Sequence, residues 1–428
     1  MMPKSLMSTI IYDQLAEIKR PVNVVPRDIY NLALSYHGSS ALVIKGIRRC
    51  GKSTTLKQII NTRFPESFFY FNFDDERISG FAVEDFQALI ETFIELFGEK
   101  KNVFFDEIQN IRGWELFINR LLREGYTVFI TGSSSNLLSS ELGTHLTGRH
   151  VDIELYPFSF TEFLGSKNIN FSRMKGYSTP EKTTMSREFK EYHSGGGMPE
   201  TVISGNSTFL LHLISDIIQK DIMNRYSIRK LPEIKNILRF LMANVSSEIT
   251  YRSLSRNLGL QSENTVKKYI EYLEETYGIF EVKRFDRKLK NVDKNPRKIY
   301  CVDNGIILKN IPNFSKNEGA LLENLVAVQL KRTGKEFYYY RHESNAEVDF
   351  VVPADMKMIQ VCYELNMNNM DREIRGLVKA SREIKTEKFL ILTMDREQVL
   401  KQDNLTIDVK PVWQWLVEDD AEHGQTNG

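Results

Sequence analysis

A chain of 428 residues is too long for one ordinary core, and length alone points to two or three domains. Its 41 % hydrophobic and 26 % charged residues are the composition of a globular protein and exclude a disordered or fibrous chain. Lys and Arg total 57 against 56 Asp and Glu, so no net field steers the molecule onto nucleic acid or anionic lipid, and any basic surface must be local.

Cys50, Cys301 and Cys362 lie far apart and form no CxxC or Cys/His spacing, which points to a reducing compartment and against structural zinc. The N-terminal MMPKSLMSTIIYDQL lacks an apolar core of signal-peptide length, and no stretch approaches the roughly 20 apolar residues of a membrane span. A cytoplasmic protein without membrane contact is expected.

In chain order, ALVIK from Ala41 reads as a strand, GIRRCGKST as a glycine-rich turn and TTLKQIINTRF as a helix. Apolar runs at Phe68 to Phe73, Asn102 to Phe105, Thr127 to Thr131 and Val151 to Leu155 follow, the earlier ones separated by helical stretches. Alternation of this kind predicts an α/β core around a parallel sheet covered on both faces, over residues 1–164. Residues 165–230 open with a polar stretch from Gly165 to Lys190, read as a surface insertion or lid, and continue through the glycine run Gly195 to Gly197 into helix. That run permits either a hinge or a close approach of chains, and a plain loop fits it equally. Residues 231–304 give helix, helix, helix, strand, charged loop, strand, the order of a winged helix. Residues 305–428 are mixed α/β, with strands at FYYYR, EVDFVV, MIQVCYE and KFLILT.

Gly46, Ile47, Arg48, Arg49, Cys50, Gly51, Lys52 and Ser53 match GxxxxGK[ST] in full, between a strand and a helix, with Thr54 following. In that setting backbone N–H groups turn inward around phosphates and the helix N-terminus adds its positive end. Lys52 is expected to reach the β- and γ-phosphates of ATP, and the Ser53 hydroxyl to ligate Mg²⁺. Val103-Phe104-Phe105-Asp106-Glu107 is an apolar strand that delivers two carboxylates at its C-terminal end. Asp106 is expected to hold Mg²⁺, and Glu107 to orient and deprotonate the attacking water. Thr131-Gly132-Ser133-Ser134 ends the next strand with hydroxyls, of which Ser133 is favoured for the γ-phosphate or the water, against an ordinary turn. Arg149 is a candidate for stabilising phosphoryl charge, in cis or across a subunit boundary of a homo-oligomer, against a surface salt bridge. Arg49 either braces the phosphates or points outward.

GIRRCGKST, FFDEIQNIRGWE, FITGSSS, LTGRHVDIELYPFSFTEFL and GGGMPE, in that order, resemble the bacterial and archaeal AAA-type ATPases that carry a C-terminal domain of unknown function. The resemblance spans about Tyr30 to about Trp415. It implies a P-loop NTPase core specific for adenine nucleotides with Glu107 catalytic, a winged-helix module, and a C-terminal domain similar to PD-(D/E)XK nucleases, which have a restriction-endonuclease-like fold. Glu323 and Asp349 stand where such a nuclease places metal-binding acids. The next strand should supply an acid, a spacer and a lysine, but reads Ile359-Gln360-Val361-Cys362. Glutamine lacks the anionic charge and cysteine lacks lysine's cation and reach, so a degenerate fold used for docking is expected.

Eight Lys or Arg against two Asp between Lys283 and Lys298, a net of +6, would suit a wing that tracks DNA phosphates. The presumed recognition helix, Ser262 to Tyr277, has two lysines against four glutamates, so base readout is not favoured. The expected function is Mg²⁺-dependent ATP hydrolysis that drives the attached modules. The alternatives are a slow nucleotide switch, a DNA-binding regulator with little turnover, or an ATP-regulated nuclease, which Gln360 and Cys362 oppose.

Overall fold

The structure is a computed structural model that describes residues 2–20, 24–29, 33, 36, 38–133, 148–169, 171, 176–223, 226, 228, 230–260, 262–288, 292–311, 314 and 317–426. The chain forms two compact units, Met1–Tyr156 and Pro157–Asn427.

In the first unit β1 (Ala41–Lys45), β2 (Phe69–Asn72), β3 (Asn102–Asp106), β4 (Thr127–Gly132) and β5 (His150–Glu154) form one sheet in the order β2-β3-β4-β1-β5. Every pairing is parallel. Side-chain alternation splits each strand between two layers. Val103, Phe105, Val128 and Ile130 join Phe69 and Phe71 under the helices Lys4–Ile18, Asp85–Phe97 and Trp114–Arg123. On the second helix Phe86, Leu89, Ile90 and Phe93 recur at helical spacing and are buried, and Phe86 stacks on Phe117 at 4.2 Å between centroids. Phe104 and Phe129 face the other way, stack at 4.5 Å, and meet Phe64 just past the helix Lys52–Arg63. With all strands parallel, their C-terminal ends and the loops that follow share one edge of the sheet. That edge carries the Gly46 loop and Asp106.

The second unit begins with the helix Phe160–Ser166, so compactness divides the chain at Tyr156, a few residues before the Leu164 boundary read from sequence. The polar stretch read as a surface lid is helical from Thr179, because Ser178 and Glu181 form a reciprocal cap and Met185, Phe189 and Tyr192 supply a buried face. Of the glycine run, Gly196 and Gly197 serve close packing. The Gly197 N–H donates to Asp303 Oδ2 at 2.6 Å, its carbonyl accepts from Phe158 N at 2.6 Å, and a Cβ there would collide with Phe158 O.

The helix Leu231–Ala243, β6 (Glu248–Ile249), the helices Tyr251–Asn257 and Glu263–Glu275, β7 (Ile279–Lys283) and β8 (Arg297–Cys301) follow, with the strands ordered β6-β8-β7. The last sheet contains β9 (Tyr338–Arg341), β10 (Glu347–Val352), β11 (Lys357–Val361), β12 (Lys388–Thr393), β13 (Gln398–Gln402) and β14 (Leu405–Pro411), in the order β13-β14-β12-β11-β10-β9. The helix Met370–Glu383 covers one face through Ile374, Leu377 and Val378, packed with Val348, Val351 and Ile391.

Candidate functional site

The loop after β1 turns through Gly46, where a Cβ would collide with Leu155 O, and through Gly51, which caps the following helix at φ 102° and ψ 20°. Both glycines are therefore demanded by geometry. Arg49 takes φ 67° inside the same turn. The helix that begins at Lys52 places Ser53 and Thr54 in its first turn, where N–H groups lack intrahelical acceptors. Lys52 is 4 % exposed, and its ammonium donates to Gly46 O at 3.1 Å and Ile47 O at 3.2 Å. Its Nζ lies 3.9 Å from Glu107 Oε1. Ile47 and Cys50 are buried, Arg48 half-buried, and Arg49, Ser53 and Thr54 exposed. The Cys50 thiol is pushed up by burial, which leaves it protonated and unreactive.

Asp106, at the end of β3, is 1 % exposed. It accepts bonds from the hydroxyls of Thr131 and Tyr70, the latter at 3.2 Å, and the nearby Ser53 hydroxyl favours its charged form. Burial raises its pKa, with the adjacent Glu107 charge adding to the effect. A carboxylate so placed gains from a nearby cation, and the Ser53–Asp106 pair fits a hard divalent ion. Glu107 sits in the left-handed region at φ 53°, held by its own N–H to Thr131 Oγ1 at 3.2 Å and by Gln109, whose amide donates to its carboxylate. The strained backbone turns Glu107 out of the strand's alternation toward Lys52.

Three further residues bind groups at or next to this edge. Thr131 Oγ1 donates to Asp106 Oδ1 and accepts from the backbone N–H of Glu107; Ser133 is buried two residues further on, and Ser134 lies outside the described residues. Tyr70 reaches Asp106 from β2. Arg27 is buried and bridges Cys50 O at 2.8 Å to Tyr156 O. Arg149 requires a correction. Its carbonyl accepts from Ala41 N, so it precedes β5 at the N-terminal edge of the sheet, opposite the loop, and its guanidinium bonds Asn119 Oδ1 at 3.1 Å. A role in cis is thereby removed.

In the second unit the structure brings Glu323 and Asp349 together, with Glu347 beside them, around the ammonium of Lys298. Burial holds Asp349 well above the usual carboxylate range, and Glu323 adds to it. Gln360 donates to Glu373 Oε2 at 2.7 Å, and the buried Cys362 thiol turns to Glu364 O. Among the described residues, no group of three or more His, Cys, Asp or Glu is arranged to hold a metal ion.

The basic segment from Lys283 to Lys298 is also less open than its count implies. Lys283 pairs with Asp293 at 2.8 Å and Arg297 with Glu281 at 2.7 Å. Arg284 donates to Arg341 O and Arg287 to Glu383 O. Lys288 and Lys294 are exposed, and Lys290 lies outside the described residues. Five of the eight cations, Lys283, Arg284, Arg287, Arg297 and Lys298, thus already have partners inside the fold.

A parallel sheet with a phosphate-type loop after β1 and a buried acid at the end of β3 defines a P-loop NTPase core, and residues 38–164 match the family model described as AAA domain. The chain therefore carries an AAA-type ATPase domain. Residues 186–317 and 318–415 match two models, each described as a domain of unknown function (DUF8612 and DUF4143). The chain belongs to the family of an uncharacterized protein of Methanocaldococcus jannaschii, 36 % identical over 96 % of this chain and 95 % of that one. An uncharacterized protein of Haemophilus influenzae is 30 % identical over 77 % of this chain and 84 % of its own length. Among solved structures, RuvB of Thermotoga maritima overlaps at 16 % identity and TM-score 0.30, over 69 % of this chain and 98 % of that one. DnaA of Aquifex aeolicus overlaps at 15 % identity and TM-score 0.24, over 58 % and 86 %. Such TM-scores mark loose overlap. No helix among the described residues is long and apolar enough to cross a membrane.

Proposed function

We propose that the first unit binds ATP with Mg²⁺ and hydrolyses it, and that the cycle drives or gates the modules of the second unit. The observation that carries this reading is the convergence of Lys52, Ser53, Asp106 and Glu107 at one sheet edge, with the Ser53 hydroxyl near enough to Asp106 to favour its charged form and Lys52 3.9 Å from Glu107. Ser53 and Asp106 would hold Mg²⁺, which when bound offsets charge on the transferring phosphoryl group. Lys52 and the N–H groups of residues 46–54 would hold the phosphates. Glu107 would take a proton from the attacking water, and Thr131 would keep both acids in place.

Residues 231–304 are read as a winged helix and the sheet from β9 to β14 as a degenerate nuclease-like domain. Phosphate release by the purified chain tests the proposal. Glu107→Gln should keep ATP bound while slowing release at least about 100-fold, the scale of a lost general base. Undiminished release in that variant refutes the assignment. A slow switch would show tight binding with little release already in wild type.

A further inference from the structure

The acids that a metal-dependent nuclease would use are assembled in the second unit, yet their surroundings do not fit a metal. Lys298, on β8, projects its ammonium among them and is 2 % exposed. Its Nζ lies 2.6 Å from Glu347 Oε1, 2.9 Å from Glu323 Oε1 and 3.3 Å from Asp349 Oδ1. An ammonium has three donors and no acceptor, so three carboxylates match it in number.

Several of the other polar atoms nearby are also engaged. The Tyr300 hydroxyl donates to Glu323 Oε1 at 2.7 Å, Val361 N donates to Asp349 Oδ2 at 2.8 Å, and Arg341 Nη2 stands 3.4 Å from Glu347 Oε2. Gln360, at the position of the missing acid, turns its amide to Glu373 and accepts from Asp349 N at 3.4 Å. A divalent ion shared by these acids would need their oxygens within about 2.0–2.6 Å and would compete for the space of Nζ. The two cations exclude each other.

We propose that Lys298 is the resident cation of this carboxylate cluster, so that the six-stranded sheet carries no catalytic metal and serves as a socket for the module of β6, β7 and β8. The same module engages the socket at its edge strand. Arg284 bridges in parallel to Tyr339 on β9, Phe285 N donates to Tyr339 O at 2.7 Å, and the Tyr339 hydroxyl donates to Pro296 O at 2.7 Å. Arg341, also on β9, pairs with Glu248 on β6. Lys298 is the fully buried centre of this joint. Removing it leaves the acids to repel one another, whereas removing one acid leaves the lysine two partners.

The test uses the full chain without nucleotide and Mn²⁺ as the probe. Wild type and Asp349→Asn should bind the same number of Mn²⁺ ions. Lys298→Met should lower the thermal midpoint by about 10 °C, the scale of breaking a buried charge pair in a unit of this size. Adding Asp349→Asn to Lys298→Met should restore part of that loss. A Mn²⁺ ion bound by wild type and lost in Asp349→Asn overturns the proposal. So does a Lys298→Met chain as stable as wild type, or a double variant with no recovery, which would mean that the lysine acts through packing alone. Should Lys298→Met fail to fold, the Mn²⁺ comparison between wild type and Asp349→Asn decides.

Discussion

Among the described residues two buried lysines face acids, and they are held in different ways. Lys52 rests on two backbone carbonyls of a glycine-shaped loop, with Glu107 at 3.9 Å. Lys298 sits within 3.3 Å of three carboxylates and has nothing left to offer a ligand. Carbonyl dipoles are weak competitors for an ammonium when a phosphate arrives, but three anions are not. The pairing of lysine with acids is therefore no signature of catalysis by itself. What distinguishes the first site is that its cation is held loosely enough to be recruited.

The largest expected contrast is between the two sites themselves. Lys52→Ala should abolish nucleotide binding with the fold intact, while Asp349→Asn should leave nucleotide affinity and phosphate release unchanged. Calorimetric titration with ATP checks both, and a Lys52→Ala chain of wild-type affinity would break the comparison. Next, Thr131→Val removes a hydroxyl bonded to Asp106 and Glu107 and should slow hydrolysis by about tenfold, the usual cost of losing a partner behind a ligand. Equal turnover in that variant would return the role to Ser133.

A smaller effect is expected at Arg149, which lies away from the loop in its own subunit. Arg149→Ala should leave turnover of dilute protein unchanged. If the protein works as a homo-oligomer with this residue in trans, only the rise of activity per molecule with protein concentration should be lost. Smallest of all is the wing. If it touches DNA, replacing Lys288 and Lys294 with serine should lower the logarithmic salt slope by no more than about 0.9 each. Titration of wild type and variant against two unrelated duplexes at several salt concentrations measures this, and a slope that persists in the variant would show that the paired arginines also release their partners to bind phosphate.

The parts of the site that could be read from sequence are those in which one short segment carries the whole signal. Gly46 to Ser53 is contiguous, and Asp106 with Glu107 ends an apolar strand, so strand and turn chemistry were enough. Thr131 stood in a recognised strand end, but its place beside Asp106 follows from the register of β4 on β3, in which Phe105 pairs with Ile130, and a register is not written in either segment alone. Tyr70, Arg27 and Lys298 leave no local trace. Each acts on a residue at least 23 positions away, through contacts that exist only once the sheets form. The strands β13 and β14 were missed for a related reason: their many exposed positions weaken the apolar pattern that marked the other strands. Lys298 was even counted as a free charge, since a tally of cations in a loop records no partner.

Arg27 adds one consequence. Its guanidinium holds the carbonyl of Cys50 inside the phosphate-type loop and the carbonyl of Tyr156, the residue at which the first unit ends. A planar, rigid fork cannot let one carbonyl move without bending or breaking its bond to the other. Loop and exit peptide are thus yoked, and a rearrangement of Cys50 during turnover would be felt, within one side chain, at the point where the polypeptide leaves the ATPase core.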